Sequence, residues 1–389
     1  MSVTLAPAES GSQVRRRPPL VETAGGWWPG IALALAGFAV SRVVQLLLVV
    51  WMDAGGPLRD RLLAWDAGWF ITVATEGYPS GYSYQADGGL VGNGLAFFPV
   101  YPALIRLVAG VGVPAGTAAV AVAWVAGAVA AVLVYLLGTS LYHRRVGYAL
   151  LALWCTQPMS VVLSLAYSEG LFLSLVAGAL LAAHRRAWVW AGLLGLAAAL
   201  TRPTGAAAAV GLAVAAAMAW RTADRWRAVG AAAVALAGVP AYLLWVGLRV
   251  GDLDAWFRIQ TAGWGTSFDL GASVGTFLLD TLRRGEGWVP VSVAWLLIAA
   301  IIAAAWAVAR RIWPPLTVYG LIALALVLGQ GGYYHSKPRL LVPVLLILVP
   351  AAVAAARARP RMAVLALGGY AVFGLWYGAY LVAVWPYTI

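Results

Sequence analysis

The 389-residue chain contains one cysteine, Cys155, one lysine, Lys337, and three histidines. A single cysteine excludes an intrachain disulfide, and its plain role is that of a small buried hydrophobe. The histidines, His143, His184 and His335, are scattered, and two of them border arginine pairs. No metal-ligand constellation emerges from them, and no cofactor is expected. The chain also lacks a P-loop, a dinucleotide-binding fingerprint and a serine-nucleophile elbow. After RRRPPL at 15–20 no short apolar core with a cleavage site follows, so no cleavable signal peptide is expected. Charge is scarce too: 10% of residues are charged, against about 25% in a soluble globular domain.

Apolar residues fill that space. They make up 63% of the chain, and runs of membrane-spanning length recur from residue 27 onward. These runs are too long and too continuously apolar for barrel strands, so the expected fold is an all-α polytopic membrane protein. The net charge of +12 then reflects topology rather than nucleic-acid binding, because arginine gathers on the cytoplasmic side of a membrane. Arginine in place of lysine, with abundant alanine and glycine, suggests a GC-rich bacterial source and its plasma membrane.

Residues 1–26 are polar and basic and are expected to be a disordered cytoplasmic segment, with a single membrane domain over 27–389. Further arginine clusters lie at 144–145, 185–186, 221–227, 310–311 and 357–361. Placing each in the cytoplasm predicts spans at about 27–51, 114–140, 146–165, 169–184, 187–201, 205–220, 229–249, 289–309, 312–332, 339–356 and 362–386. This is an eleven-helix topology with outer loops at 52–113 and 250–288. Eleven of the fourteen acidic residues then fall outside, leaving only Glu9, Glu22 and Asp224 inside. The stretch 95–110, LAFFPVYPALIRLVAG, is read as an interfacial helix in the outer leaflet, its first turns broken by Pro99 and Pro102. The short spans 169–184 and 187–201 suggest a recessed cavity open to the outside.

Four outer stretches carry chemistry. In AWDAGWFITVATEGYP (64–79), Trp65, Trp69 and Phe70 would seat Asp66 at the lipid interface. There a carboxylate reaches water and a lipid headgroup together and suits a general base; an ordinary helix-capping aspartate is the bland alternative. In QPMSVVLSLAYSEGLFLSL (157–175), Tyr167, Ser168 and Glu169 mark an outer turn. Ser168 would cap the next helix and Glu169 would favour its dipole, or Glu169 would face the cavity of Asp66. In AALTRPTG (198–205), Arg202 is either a forked phosphate ligand or a side chain snorkelling to headgroups. In GQGGYYHSKPRLLVP (329–343), Lys337 and Arg339, preceded by His335, would hold a phosphate at the membrane surface or pair with Asp252 or Asp254. Arg283–Arg284 raises the same question. Arg42, inside the first span, must face the bundle rather than lipid.

Taken in order, WDAGWFITVATEGYP, AFFPVYPALIRL, QPMSVVLSLAYSEGLFLSL, LAALTRPTG and SKPRLLVP resemble the PIG-V family of GT-C-type mannosyltransferases over roughly residues 40–350. The resemblance implies a GT-C bundle and inverting transfer of mannose from polyprenyl-phosphate mannose on the extracytoplasmic face. It implies Asp66 as catalytic base. It also raises Glu169, Arg202, Lys337 and Arg339, with Tyr167 and His335 beside them, as donor-phosphate or substrate-binding residues. The TRPTG stretch departs from the family's eukaryotic pattern, so the acceptor is expected to be another glycolipid, a glycan or a protein. Two rival readings are a transporter or lipid flippase, which would want polar groups at the bilayer midplane and internal repeats, and a GT-C enzyme using another polyprenyl-linked sugar such as a pentose.

Overall fold

The computed structural model describes residues 27–53 and 55–387; the segment 1–26, expected to be disordered, lies outside them. Helix α1 (Trp28–Met52) leads into two short helices, α2 (Leu58–Leu62) and α3 (Asp66–Glu76). A small hairpin of β1 (Ser83–Tyr84) and β2 (Leu90–Val91) and helix α4 (Val100–Ala109) complete the first long loop. Next come α5 (Ala115–Leu141), α6 (Arg144–Thr156), α7 (Glu169–His184), α8 (Trp188–Ala199), α9 (Gly205–Met218) and α10 (Arg225–Val250). Helices α11 (Ala255–Trp264) and α12 (Ala272–Arg284) occupy the second long loop. Helices α13 (Trp288–Ala309), α14 (Pro314–Gly329), α15 (Lys337–Leu340), α16 (Val349–Arg357) and α17 (Pro360–Ala383) follow.

Nine of the eleven expected spans coincide with one helix each. The two exceptions trace to proline. The segment 146–165 stops at Thr156, because Gln157 precedes Pro158 and takes an extended conformation with ψ at 156°. A 3₁₀ turn at Ser160–Leu163 replaces the rest. The segment 339–356, which contains Pro343 and Pro350, breaks into α15, a turn and α16, with a bend of 82°.

By length and composition, α1, α5, α10, α13 and α17 can each cross a bilayer, and the bent 334–357 stretch would make a sixth span. These are the dimensions of an integral membrane protein. Helices α7, α8, α9 and α14 have 16, 12, 14 and 16 residues. At 1.5 Å per residue they reach only about 18–24 Å, short of the ~30 Å hydrocarbon. Helix α7 is buried along almost its whole length, packed against α5 and α8, so protein rather than lipid surrounds it. Its first turn lies close against α5. A Cβ on Gly170 would stand 3.2 Å from the Gly127 backbone, which is the small-residue approach that lets membrane helices touch. Helix α4 has ten residues, about 15 Å, too short to cross alone. It buries Tyr101, Pro102 and Ile105 and exposes Leu107.

The bundle has two distinct ends. At one, Arg185 stacks on Trp27 and bonds the Ser140 hydroxyl, His184 meets Trp313 edge-on, and Arg310 and Arg357 border one cleft. The arginine clusters deduced from alternation therefore gather together. At the other end the two long loops interlock. Arg249 at the end of α10 donates to the Tyr78 and Pro79 carbonyls, Tyr82 donates to Asp252 at 2.6 Å, and Phe268 bridges to Gln330.

Arg42 faces the bundle, as its position demanded, and it bonds backbone carbonyls and a hydroxyl. Its guanidinium donates to the Ser160 carbonyl, the Cys155 carbonyl at 2.6 Å and the Ser164 hydroxyl at 3.2 Å. These carbonyls are freed where α6 ends early, so a buried cation replaces the missing helical donors. Cys155 itself is buried.

Candidate active site

Asp66 is the first residue of α3, and its carboxylate does not cap that helix: the cap position is Trp65, whose side chain makes no capping bond. Trp65 has φ at 56°, a left-handed conformation that costs a bulky side chain energy. The turn it forces presents Asp66 to a cavity of about 180 Å³ among α3, α11, α15 and the turn after α8. There Asp66 Oδ2 accepts a 2.5 Å bond from the Arg339 guanidinium.

Arg339 is the centre of the cluster. It sits over the Tyr167 ring at 5.1 Å and lies 3.9 Å from Glu169 Oε1. Glu169 also meets Arg202 at 2.8 Å. The Ser168 hydroxyl, expected to cap α7, instead accepts a 3.1 Å bond from Arg202. Glu169 is 1% exposed, its Oε2 has no hydrogen-bond donor among the described residues, and it stands behind the cavity wall rather than on it. It acts as the shared counter-charge of two guanidiniums, both of which line the cavity. The pairing considered for Arg339 with Asp252 or Asp254 does not occur: Asp252 accepts from Tyr82 and lies 3.4 Å from Arg258.

Lys337 also lines the cavity, with its ammonium bonded to the Val327 and Gln330 carbonyls at 3.1 and 2.5 Å. It closes the end of α14, which lacks helical donors for these groups. His335 is buried in an aromatic group with Tyr333, Tyr334 and Tyr387, beside the cavity and not on its wall. Arg283 and Arg284 are exposed at the end of α12, away from the cluster.

Asp66, Glu169, Arg202, Arg339 and Lys337 therefore bring three cations and two carboxylates around one cavity, a net charge of +1. Such a balance favours an added anion, and two guanidinium forks suit a phosphate. The remaining wall was not anticipated. Trp264 and Gln260 of α11 come from a loop read only as acidic, and Trp264 packs against Phe97 and Trp69 at 5.3 and 5.9 Å. The amphipathic run AWFRIQTAGW is the signal that marks α11 as a helix with an inward aromatic face. Thr201, Thr266, Gln330, Tyr333 and Ser336 add to the polar lining.

No family model matches the chain, and no curated protein matches it. Among solved structures it is similar to the Archaeoglobus fulgidus oligosaccharyltransferase in complex with zinc and sulfate, at 14% identity and a TM-score of 0.45, over 89% of this chain and 52% of that one. For the same organism's oligosaccharyltransferase AglB, in complex with an inhibitory peptide and a dolichol-phosphate, the values are 13%, 0.47, 90% and 56%. For the apo form they are 14%, 0.46, 91% and 55%. The chain thus spans about half the length of these structures. The functional reading rests on the site's own residues.

Proposed function

We propose that the chain is an inverting glycosyltransferase that moves mannose from polyprenyl-phosphate mannose to a glycolipid, glycan or protein acceptor on the extracytoplasmic face. The observation that carries this reading is one cavity holding Asp66 beside Arg202, Arg339 and Lys337, at the end of the bundle opposite the arginine clusters. That placement makes it extracytoplasmic if the clusters obey the positive-inside rule.

The chemistry follows from the geometry. Asp66 accepts the proton of an acceptor hydroxyl while that oxygen attacks the sugar's anomeric carbon. The bond from that carbon to the phosphate oxygen breaks, its electron pair stays on the phosphate, and the configuration inverts. The phosphate's charge is received by Arg202, Arg339 and Lys337. Arg339 links the two halves, because the group that holds Asp66 at 2.5 Å is also a phosphate ligand. A donor phosphate drawing on Arg339 loosens its hold on the base.

The test is turnover of labelled polyprenyl-phosphate mannose by the purified chain in lipid. Asp66→Asn is expected to lower turnover by about 10²- to 10⁴-fold. Unchanged turnover removes Asp66 as base. Running mannose and pentose donors side by side decides the sugar, and liposome flux without glycosyl transfer would move the reading to a transporter. Arg42, the one deep charge noted in the sequence, serves the fold through backbone carbonyls, which weakens the transporter reading.

A further inference from the structure

A second charged cleft, of about 340 Å³, lies at the arginine-rich end, between α13, α16 and the turn at Tyr142. Arg310 follows the last residue of α13 and Arg357 is the last residue of α16; both are exposed, and both border the cleft. Arg310 lies 5.9 Å from the Trp306 ring, a residue type that favours the level of lipid headgroups. Behind the two cations the wall is apolar, formed by Ile312, Val349 and Val353.

Helix dipoles explain why arginine is tolerated at these two C-termini. They do not explain an apolar cleft opening between them. Among the described residues no carboxylate pairs with either arginine. Among the described residues the acid of this end is Asp224, which precedes α10, against twelve arginines in the clusters from 144 to 361. The end is thus strongly positive, and the cleft offers charge and an apolar wall together.

We infer that this cleft binds an anionic phospholipid, its phosphate between Arg310 and Arg357 and an acyl chain against Ile312, Val349 and Val353. A free phosphate would use only the two cations. A phospholipid uses both halves, and it is the solvent of this surface. Basic pockets between spanning helices recognise acidic headgroups in this way. The site is independent of the sugar-transfer reading, since it shares no residue with the cavity of Asp66.

The test uses the full chain in nanodiscs of mixed phosphatidylglycerol and phosphatidylcholine, with retained lipids counted by native mass spectrometry after transfer to detergent. The wild type is expected to retain phosphatidylglycerol about thirty-fold over phosphatidylcholine, from two basic contacts. R310Q/R357Q is expected to lose that preference, while R221Q/R225Q, which removes the same charge elsewhere on this end, keeps it. Ala354→Phe fills the cleft and leaves both charges; it is expected to lose retention too. Equal losses in the two arginine pairs would reduce the effect to surface charge and overturn the site. So would displacement by glycerophosphate as effective as by lipid. If R310Q/R357Q does not fold, Ala354→Phe decides, and a preference it retains overturns the assignment.

Discussion

Replacing Glu169 by glutamine separates the counter-charge of the site from its shape. Glu169 is 1% exposed, 2.8 Å from Arg202 and 3.9 Å from Arg339. At an effective dielectric of about 20, a pair at 2.8 Å attracts by about 6 kcal/mol before desolvation is counted. Removing one partner of a buried pair costs about 3–5 kcal/mol, most of it the penalty of leaving the other charge uncompensated. Here Arg202 keeps the Ser168 hydroxyl and borders an open cavity, and Arg339 keeps Asp66. The lower end of the range therefore applies, about 3 kcal/mol. Glutamine does not recover it, because a neutral amide supplies no counter-charge to Arg202 or Arg339. The measurement is equilibrium unfolding in mixed micelles, followed by tryptophan fluorescence, for the wild type, Glu169→Gln and Glu169→Asp. Aspartate keeps the charge and should recover part of the loss. A Glu169→Gln chain within about 0.5 kcal/mol of the wild type would refute the shared-counter-ion reasoning, since that is the range of an ordinary surface change.

Arg202→Lys keeps the charge but not the planar guanidinium, whose Nη1 meets Ser168 and Glu169 and leaves its other nitrogens for a phosphate; donor KM in the transfer assay should rise about tenfold, with a smaller change in kcat. Gly374→Ala would drive a Cβ of α17 into the Thr156 carbonyl where α6 ends, a backbone collision no rotamer relieves; a loss of about 3 kcal/mol is expected in the same unfolding assay. The Tyr82–Asp252 bond makes the two outer loops sensitive to pH. Hydrogen bonding from Tyr82, then from the Asp254 backbone N–H, holds the Asp252 carboxyl below its usual range, while burial and Asp252 push the Tyr82 hydroxyl up to about 12. A depressed carboxyl stabilises above its unfolded value near 3.9 and loses that contribution as pH falls through its folded value. A raised phenol stabilises below about 10 and loses its contribution as pH climbs toward 12. Hydrogen-exchange protection at 78–93, the observed rate compared with the intrinsic rate at the same pH, should therefore be greatest between about pH 5 and 9, and Tyr82→Phe should flatten both flanks.

Much of the helical framework was legible from hydrophobic run length, because lipid leaves the backbone no option but internal hydrogen bonding. The two segments that are broken rather than single helices, 146–165 and 339–356, are those in which Pro158, Pro343 and Pro350 interrupt an apolar run that a span count passes over. Composition sees the apolarity and not the missing N–H. Helix α11 was missed for the opposite reason: its aromatic face is short, lies within a polar loop, and acquires its meaning only where Trp264 meets Phe97 and Trp69.

By itself, the sequence determined that this chain lives in a membrane, that its arginine clusters alternate to one end, and that Asp66, Glu169, Arg202, Lys337 and Arg339 fall at the turns of the other. Those are properties of run length, charge spacing and alternation, all readable along one dimension. Only the tertiary structure decided which carboxylate meets which guanidinium. Arg339 and Asp66 are 273 positions apart and touch at 2.5 Å, while Glu169 lies behind both arginines instead of facing the cavity. Nothing local encodes such a pairing. It exists because α7 packs tightly against α5, α15 turns inward at a break in the bundle, and burial makes each unpaired charge too costly to leave alone.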